Sequence, residues 1–107
     1  MSLPDPLSVE VVITANEARL VVRGEIDIET EQALRDAAAS ATSSVAGGCV
    51  IVDLQQVSFI DSSGLRALLQ SRDAAQAAGT TFRIAVTDGA VLRLFKLAGV
   101  SDWFEYE

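Results

Sequence analysis

Between Val50 and Leu69 the hydrophobic pattern changes period. Val50 to Leu54 is an apolar run without alternation, the pattern of a buried strand. A second run, Val57 to Ile60, ends at the polar cluster Asp61-Ser62-Ser63-Gly64. Leu65, Leu68 and Leu69 then take up helical spacing. A strand that passes into a helix in this way predicts an α/β fold with parallel strands and crossover helices. It also sets two hydroxyls at a helix N-terminus, where unpaired N–H groups and the helix dipole favour negative charge.

The rest of the chain supplies the partners such a unit needs. Residues 1–6 hold Pro4 and Pro6 and predict a loose lead-in; residues 7–107 predict one domain. Leu7 to Ile13 and Ala18 to Val22 are strand patterns joined by the turn Thr14-Ala15-Asn16-Glu17, which predicts an antiparallel hairpin. Gly24-Glu25-Ile26-Asp27 closes the second strand, and Asp27 or Thr30 caps a helix from Glu29 to Ala46. Its inward stripe is Ala33, Leu34, Ala37, Ala38, Ala41 and Val45, and Gly47-Gly48 ends it. Cys49 to Leu54 is the third strand, covered on both faces or at least well buried, with Asp53 as a strand-end hydrogen-bonding group. A helix from Ser63 to Ala78 turns Leu65, Leu68, Leu69, Ala75 and Ala78 inward. A strand from Phe82 to Val86, the turn Thr87-Asp88-Gly89 and a helix from Ala90 to Ala98 follow; Val91, Leu94, Phe95 and Ala98 form that helix's apolar face.

The predicted order is β-β-α-β-α-β-α, with a possible terminal strand at Trp103 to Tyr106. The sheet is mixed: the first strand is an antiparallel edge and the others are parallel. Parallel strands end on one edge, where α/β folds place their sites. That edge collects Gly24 to Asp27, Asp61 to Gly64 and Thr87-Asp88, and it brings Asp27 close to Ser62.

Composition narrows the chemistry. The net charge of −7 argues against nucleic acid or an anionic membrane as partner. No apolar run spans a bilayer and no signal-peptide layout opens the chain, so the expected location is cytoplasmic. Cys49 is the only cysteine, which excludes an internal disulfide and suits a small buried hydrophobe. With no histidine the chain lacks the commonest general base, nucleophile partner and metal ligand. A hydrolase elbow needs glycine two positions before the serine, and Ile60 stands before Ser62. Asp27, Asp53 and Asp61 follow no metal-binding spacing, and neither phosphate-loop nor dinucleotide glycine patterns occur. No catalytic residue, metal or cofactor is therefore expected.

Two roles remain open for the Asp61-Ser62 junction. The simpler is helix capping, since aspartate and serine are preferred caps. The other is modification. A phosphoserine brings nearly two negative charges, which the helix start tolerates locally. A partner docking on a neutral serine then meets repulsion and a desolvation cost, without any rearrangement of the sheet.

The chain resembles the bacterial anti-sigma factor antagonists, single STAS-domain proteins of partner-switching systems. The resemblance lies in Gly24-Glu25-Ile26-Asp27, in Val52-Asp53-Leu54 through Phe59-Ile60-Asp61-Ser62-Ser63-Gly64-Leu65, and in Val91-Leu92-Arg93-Leu94-Phe95 with Gly99. It implies a STAS fold and a protein that, unphosphorylated, binds an anti-sigma factor serine kinase and so frees a sigma factor. It implies phosphorylation of Ser62, the residue after the motif aspartate, and reversal by a PP2C-type phosphatase. It implies partner contacts from Glu25, Asp27, Asp61, Ser63 and Gly64. Arg66 stands where the best-known members have glycine and is a further candidate contact, to phosphoserine or to an acidic partner. The competing role for the same fold is a STAS module in another assembly, such as a stressosome-like scaffold or a lipid-transport complex.

Overall fold

The computed structural model describes residues 7–87 and 89–107. The expected lead-in at 1–6 and Asp88 of the Thr87-Asp88-Gly89 turn lie outside these residues. The elements are β1 (Leu7–Thr14), β2 (Glu17–Ile26), α1 (Glu31–Ser44), β3 (Cys49–Ile60), α2 (Ser62–Ala77), β4 (Thr81–Ala85), α3 (Ala90–Leu97), a 3₁₀ turn (Ser101–Trp103) and β5 (Glu105–Tyr106). The sheet order is β1-β2-β3-β4-β5, with β1 antiparallel to β2 and every other pair parallel. The single α/β domain with a mixed sheet predicted from the sequence is thus present.

Alternation decides which face of the sheet meets the helices. Val50, Val52 and Leu54 join one core cluster with Leu34 and Ala38 of α1, Ala67, Leu68 and Ala75 of α2, and Val91 and Phe95 of α3. Ile51 and Asp53 face the other way, so the helices cover one face and not both. The molecule measures 38 × 37 × 20 Å, and its short dimension holds one sheet and one helix layer. Ile51 is nonetheless only 2% exposed. It lies in register between Arg19 and Arg83, whose aliphatic stems flank it.

The strands run further than their sequence patterns predict. β2 continues through Gly24 to Ile26, and β3 is one strand of 12 residues to Ile60. Two register shifts against β2 explain the difference: β3 carries an extra residue at each, one between Asp53 and Gln56 and one between Val57 and Phe59. Leu54, Val57 and Ile60 therefore all turn toward the core at a spacing that breaks strand periodicity. Gly24 sits at the second shift with φ 107°, a conformation that favours glycine.

The helix boundaries also move. α1 starts two residues after the predicted Glu29, because the Asp27–Thr30 segment forms its own turn, and it ends at Ser44 rather than Ala46. Leu34, Ala38, Ala41 and Val45 are buried as predicted, but Ala33 is exposed, as are Ala78 and Ala98 beyond the ends of α2 and α3. The terminal strand shrinks to Glu105–Tyr106, since Trp103 closes the 3₁₀ turn and Phe104 packs against Phe95 with ring centroids 5.3 Å apart.

Candidate functional site

β2 and β3 end side by side. Ile26 pairs with Ile60, and the Asp61 N–H donates to the Ile26 carbonyl at 3.2 Å. Asp27 and the Asp61–Gly64 segment leave the sheet from these paired positions as neighbours, as the predicted parallel pairing requires.

Asp61 is the N-cap of α2. Its carboxylate accepts the Gly64 N–H at 3.0 Å, and its carbonyl accepts the Leu65 N–H at 2.9 Å. Ser62 is the first helical residue and is exposed. Its hydroxyl has no hydrogen-bond partner among the described residues, so Asp61 performs the capping and Ser62 does not. Ser63 is half-buried. The Ser62 and Ser63 N–H groups also lack partners among the described residues, as the first turn of a helix leaves them. Ser62 thus presents a free hydroxyl beside two free donors at the positive end of the dipole.

Gly64 is buried, and its place is set by contact. A Cβ there would lie 2.7 Å from Ile26 Cγ2, 2.8 Å from the Ile26 carbonyl oxygen and 2.8 Å from Ile60 Cγ1. Glycine lets α2 start directly over the ends of β2 and β3, which fixes Ser62 relative to the sheet. Gly64 itself offers no side chain to a partner.

The neighbouring loop is locked from within. Asp27 Oδ1 accepts the N–H groups of Glu29 at 2.9 Å and Thr30 at 3.1 Å. The buried Thr30 hydroxyl donates to the Glu25 carbonyl at 2.8 Å and accepts the Asp27 N–H at 2.9 Å. Thr30 occupies the cap position of α1 but makes no capping bond; its hydroxyl holds the loop instead. Asp27 therefore shapes the loop with its own carboxylate, while Glu25 is exposed next to it. Arg66 is exposed one helical turn after Ser62 on the same side of α2 and has no ion-pair partner among the described residues.

Two apolar side chains at this edge escaped the sequence reading. Phe59, in register with Glu25, is 48% exposed, and Ile28, next to Asp27, is 71% exposed. The signal for Phe59 was present: Phe59 and Ile60 are adjacent in a strand, so only one of them can face the core. Ser58, Phe59 and Ile60 line a groove of about 210 Å³ with Ala90, Val91 and Leu94 of α3.

The remaining candidates lie elsewhere. Asp53 is inside β3 rather than at a strand end, because β3 continues past it. It is still a hydrogen-bonding group: it pairs with Arg19 at 2.9 Å and accepts the Gln55 N–H at 3.0 Å. Arg19 also meets Glu107 at 2.6 Å. That hydrogen bond holds the Glu107 carboxyl below its ordinary pKa and raises that of the Arg19 guanidinium. Burial pushes the Cys49 thiol up, away from reactivity. Among the described residues no cluster of three or more metal-ligating side chains occurs, and no helix is long and apolar enough to cross a membrane.

Comparison with known proteins places this geometry. The family model for the STAS domain matches residues 8–107. The structure is similar to that of an anti-sigma factor antagonist from Mycobacterium paratuberculosis, with 25% identity, a TM-score of 0.83, and coverage of 99% of this chain and 89% of that one. It is similar to the anti-sigma factor antagonist SpoIIAA in its unphosphorylated form, with 18% identity, a TM-score of 0.74 and coverage of 94% and 88%. The phosphorylated form of SpoIIAA, a Bacillus cell fate determinant, matches with 19% identity, a TM-score of 0.68 and coverage of 94% and 91%. These two likenesses concern the fold. A sequence comparison with curated proteins finds no match.

Proposed function

Since the chain belongs to the STAS domain family, with the fold of the anti-sigma factor antagonists, we propose that it is itself such an antagonist, switched by phosphorylation of Ser62. Unphosphorylated, it binds an anti-sigma factor that is also a serine kinase, and so releases a sigma factor. The kinase transfers phosphate from ATP to the Ser62 hydroxyl and the complex dissociates. A PP2C-type phosphatase restores the serine. The chain contributes the substrate serine and the docking surface rather than catalytic groups, and it acts in the cytoplasm.

The observation that carries this reading is the division of labour at the start of α2. Asp61 caps the helix, which leaves the adjacent Ser62 exposed and its hydroxyl uncommitted. A phosphate on Ser62 finds the free N–H groups of Ser62 and Ser63 and the positive end of the dipole, so the fold accepts it without moving. The docking surface is a different matter. Exposed Phe59 near the end of β3, exposed Ile28 in the loop after β2, and the groove between β3 and α3 belong to the sheet edge from which Ser62 projects. A partner seated there covers the serine, and covering a dianion without compensation is prohibitive. Glu25, Asp27 and Asp61 on the same edge add repulsion for any acidic group the partner presents. Arg66, exposed one turn away, is the cation that pairs with the phosphate or with an acidic partner in this reading.

Calorimetric titration of the cognate kinase with wild type, Ser62→Ala and Ser62→Glu tests the switch. Wild type and Ser62→Ala bind alike, and Ser62→Glu binds at least tenfold more weakly. Equal binding by Ser62→Glu and Ser62→Ala contradicts the proposal.

A further inference from the structure

The sheet has two edges, and they are built differently. β5 is two residues long, too short to recruit another strand, and Arg83 and Glu105 place charges there 3.8 Å apart. β1 is eight residues long, pairs with β2 without any register shift, and carries one charge, Glu10. Its outer half exposes three consecutive apolar residues: Val11 at 43%, Val12 at 45% and Ile13 at 49%. Natural sheets protect such an edge with charges, prolines or bulges; β1 has one charge and no bulge.

The backbone of this edge has a defined pattern. Thr14 and Glu17 flank the two-residue turn Ala15-Asn16, so they form a hydrogen-bonded pair. Val12, Glu10 and Ser8 then also bond inward to β2, at Arg19, Val21 and Arg23. The N–H and C=O groups of Val9, Val11 and Ile13 point outward, and their side chains share the helix face of the sheet.

Read in both directions from Val11, the strand is nearly its own complement. Antiparallel to a second copy about a two-fold axis at Val11, it sets Val11 opposite Val11, Val9 opposite Ile13, and Ser8 opposite Thr14. β-branched residues face β-branched residues and a hydroxyl faces a hydroxyl, which are favourable cross-strand pairs. The only charge of the strand, Glu10, falls opposite Val12 and not opposite its own copy. The outward groups of Val9, Val11 and Ile13 meet their counterparts in hydrogen-bonded pairs.

We propose that β1 is a homodimerisation edge: two copies join β1 to β1 antiparallel in this register, forming one continuous ten-stranded sheet with the helices of both copies on the same face. This surface is separate from Ser62, and the proposal stands whether or not Ser62 is phosphorylated.

Sedimentation equilibrium of the full chain across a wide concentration range tests it, with far-UV circular dichroism confirming that each variant is folded. Wild type shows a monomer–dimer equilibrium. Val11→Lys brings two ammonium groups face to face at the axis and shifts the protein to monomer by at least tenfold in dissociation constant. Val12→Lys places an ammonium opposite Glu10 of the other copy, twice per dimer, and tightens the dimer by about two- to thirty-fold. Val12→Glu sets carboxylates opposite Glu10 and weakens it by a comparable factor. A wild type that stays monomeric throughout overturns the proposal, and so does a dimer that Val11→Lys leaves intact. A dimer in which Val12→Lys and Val12→Glu act in the same direction overturns the register.

Discussion

Gly64→Ala isolates what holds Ser62 in place. The added methyl would sit 2.7 Å from Ile26 Cγ2 and 2.8 Å from both the Ile26 carbonyl oxygen and Ile60 Cγ1. Ordinary contacts of these kinds are about 3.5–4.0 Å, so three neighbours must yield at once. The two isoleucine side chains are buried in the core, and the carbonyl oxygen belongs to the β2 backbone and already accepts the Asp61 N–H at 3.2 Å. No rotamer change relieves a clash with a carbonyl. Overpacking of this kind costs about 1–3 kcal/mol. Alanine returns up to about 1 kcal/mol through helix propensity, and less than that in a first turn. If the first turn returns about half of that, the net expectation is a loss of about 0.5–2.5 kcal/mol. For a domain of this size that lowers the thermal midpoint by about 2–20 °C. Urea denaturation with Ser63→Ala as the control reads it directly: the control stays within about 0.5 kcal/mol of wild type, and Gly64→Ala does not. A Gly64→Ala protein as stable as wild type refutes the claim that close approach of α2 to Ile26 and Ile60 fixes the site.

The other perturbations separate the parts of the same edge. Asp61→Ala removes the N-cap of α2 and costs about 0.5–2 kcal/mol in urea unfolding, whereas Asp61→Asn keeps the acceptor and stays near wild type. Thr30→Val leaves the Glu25 carbonyl and the Asp27 N–H without their buried partner and costs about 1–3 kcal/mol by the same measurement. On the far face, Arg19→Gln releases the Glu107 carboxyl: in wild type it titrates below the ordinary glutamate range by carbon-detected NMR, and in the variant it returns to that range. The sign follows from linkage. A carboxyl whose folded pKa is depressed adds stability above its unfolded value of about 4.3, and that stability is lost as pH falls through the folded pKa.

The parts of the fold that rest on simple periodicity were legible in the sequence. The alternation of β1, most of the 3.6-residue stripe of α1 and the apolar run at Val50 to Leu54 located their elements, and the parallel pairing that follows from them brought Asp27 and Ser62 to one edge. What failed to show were features that depend on contact between distant residues. The register shifts in β3 exist only against β2, so Val57 and Ile60 read as a second run instead of the same strand. The Asp27–Thr30 turn delays α1 because Thr30 bonds to the Glu25 carbonyl, a choice that neither residue's propensity announces. Asp53 read as a strand end because the continuation of β3 past Leu54 rests on the same register shifts against β2. At the site, composition left Asp61 and Ser62 sharing one capping role; the geometry assigns it to Asp61 and leaves Phe59 and Ile28 exposed at the same end of the sheet.

In the proposed switch Ser62, and not Ser63, is the modified residue. Incubation of the full chain with its cognate kinase and ATP, followed by fragmentation mass spectrometry, locates the phosphate. A single phosphate on Ser62, absent from Ser63 and from the Ser62→Ala protein, is the predicted result. A phosphate on Ser63, or no phosphate under conditions where the kinase is active and the two proteins bind, contradicts it.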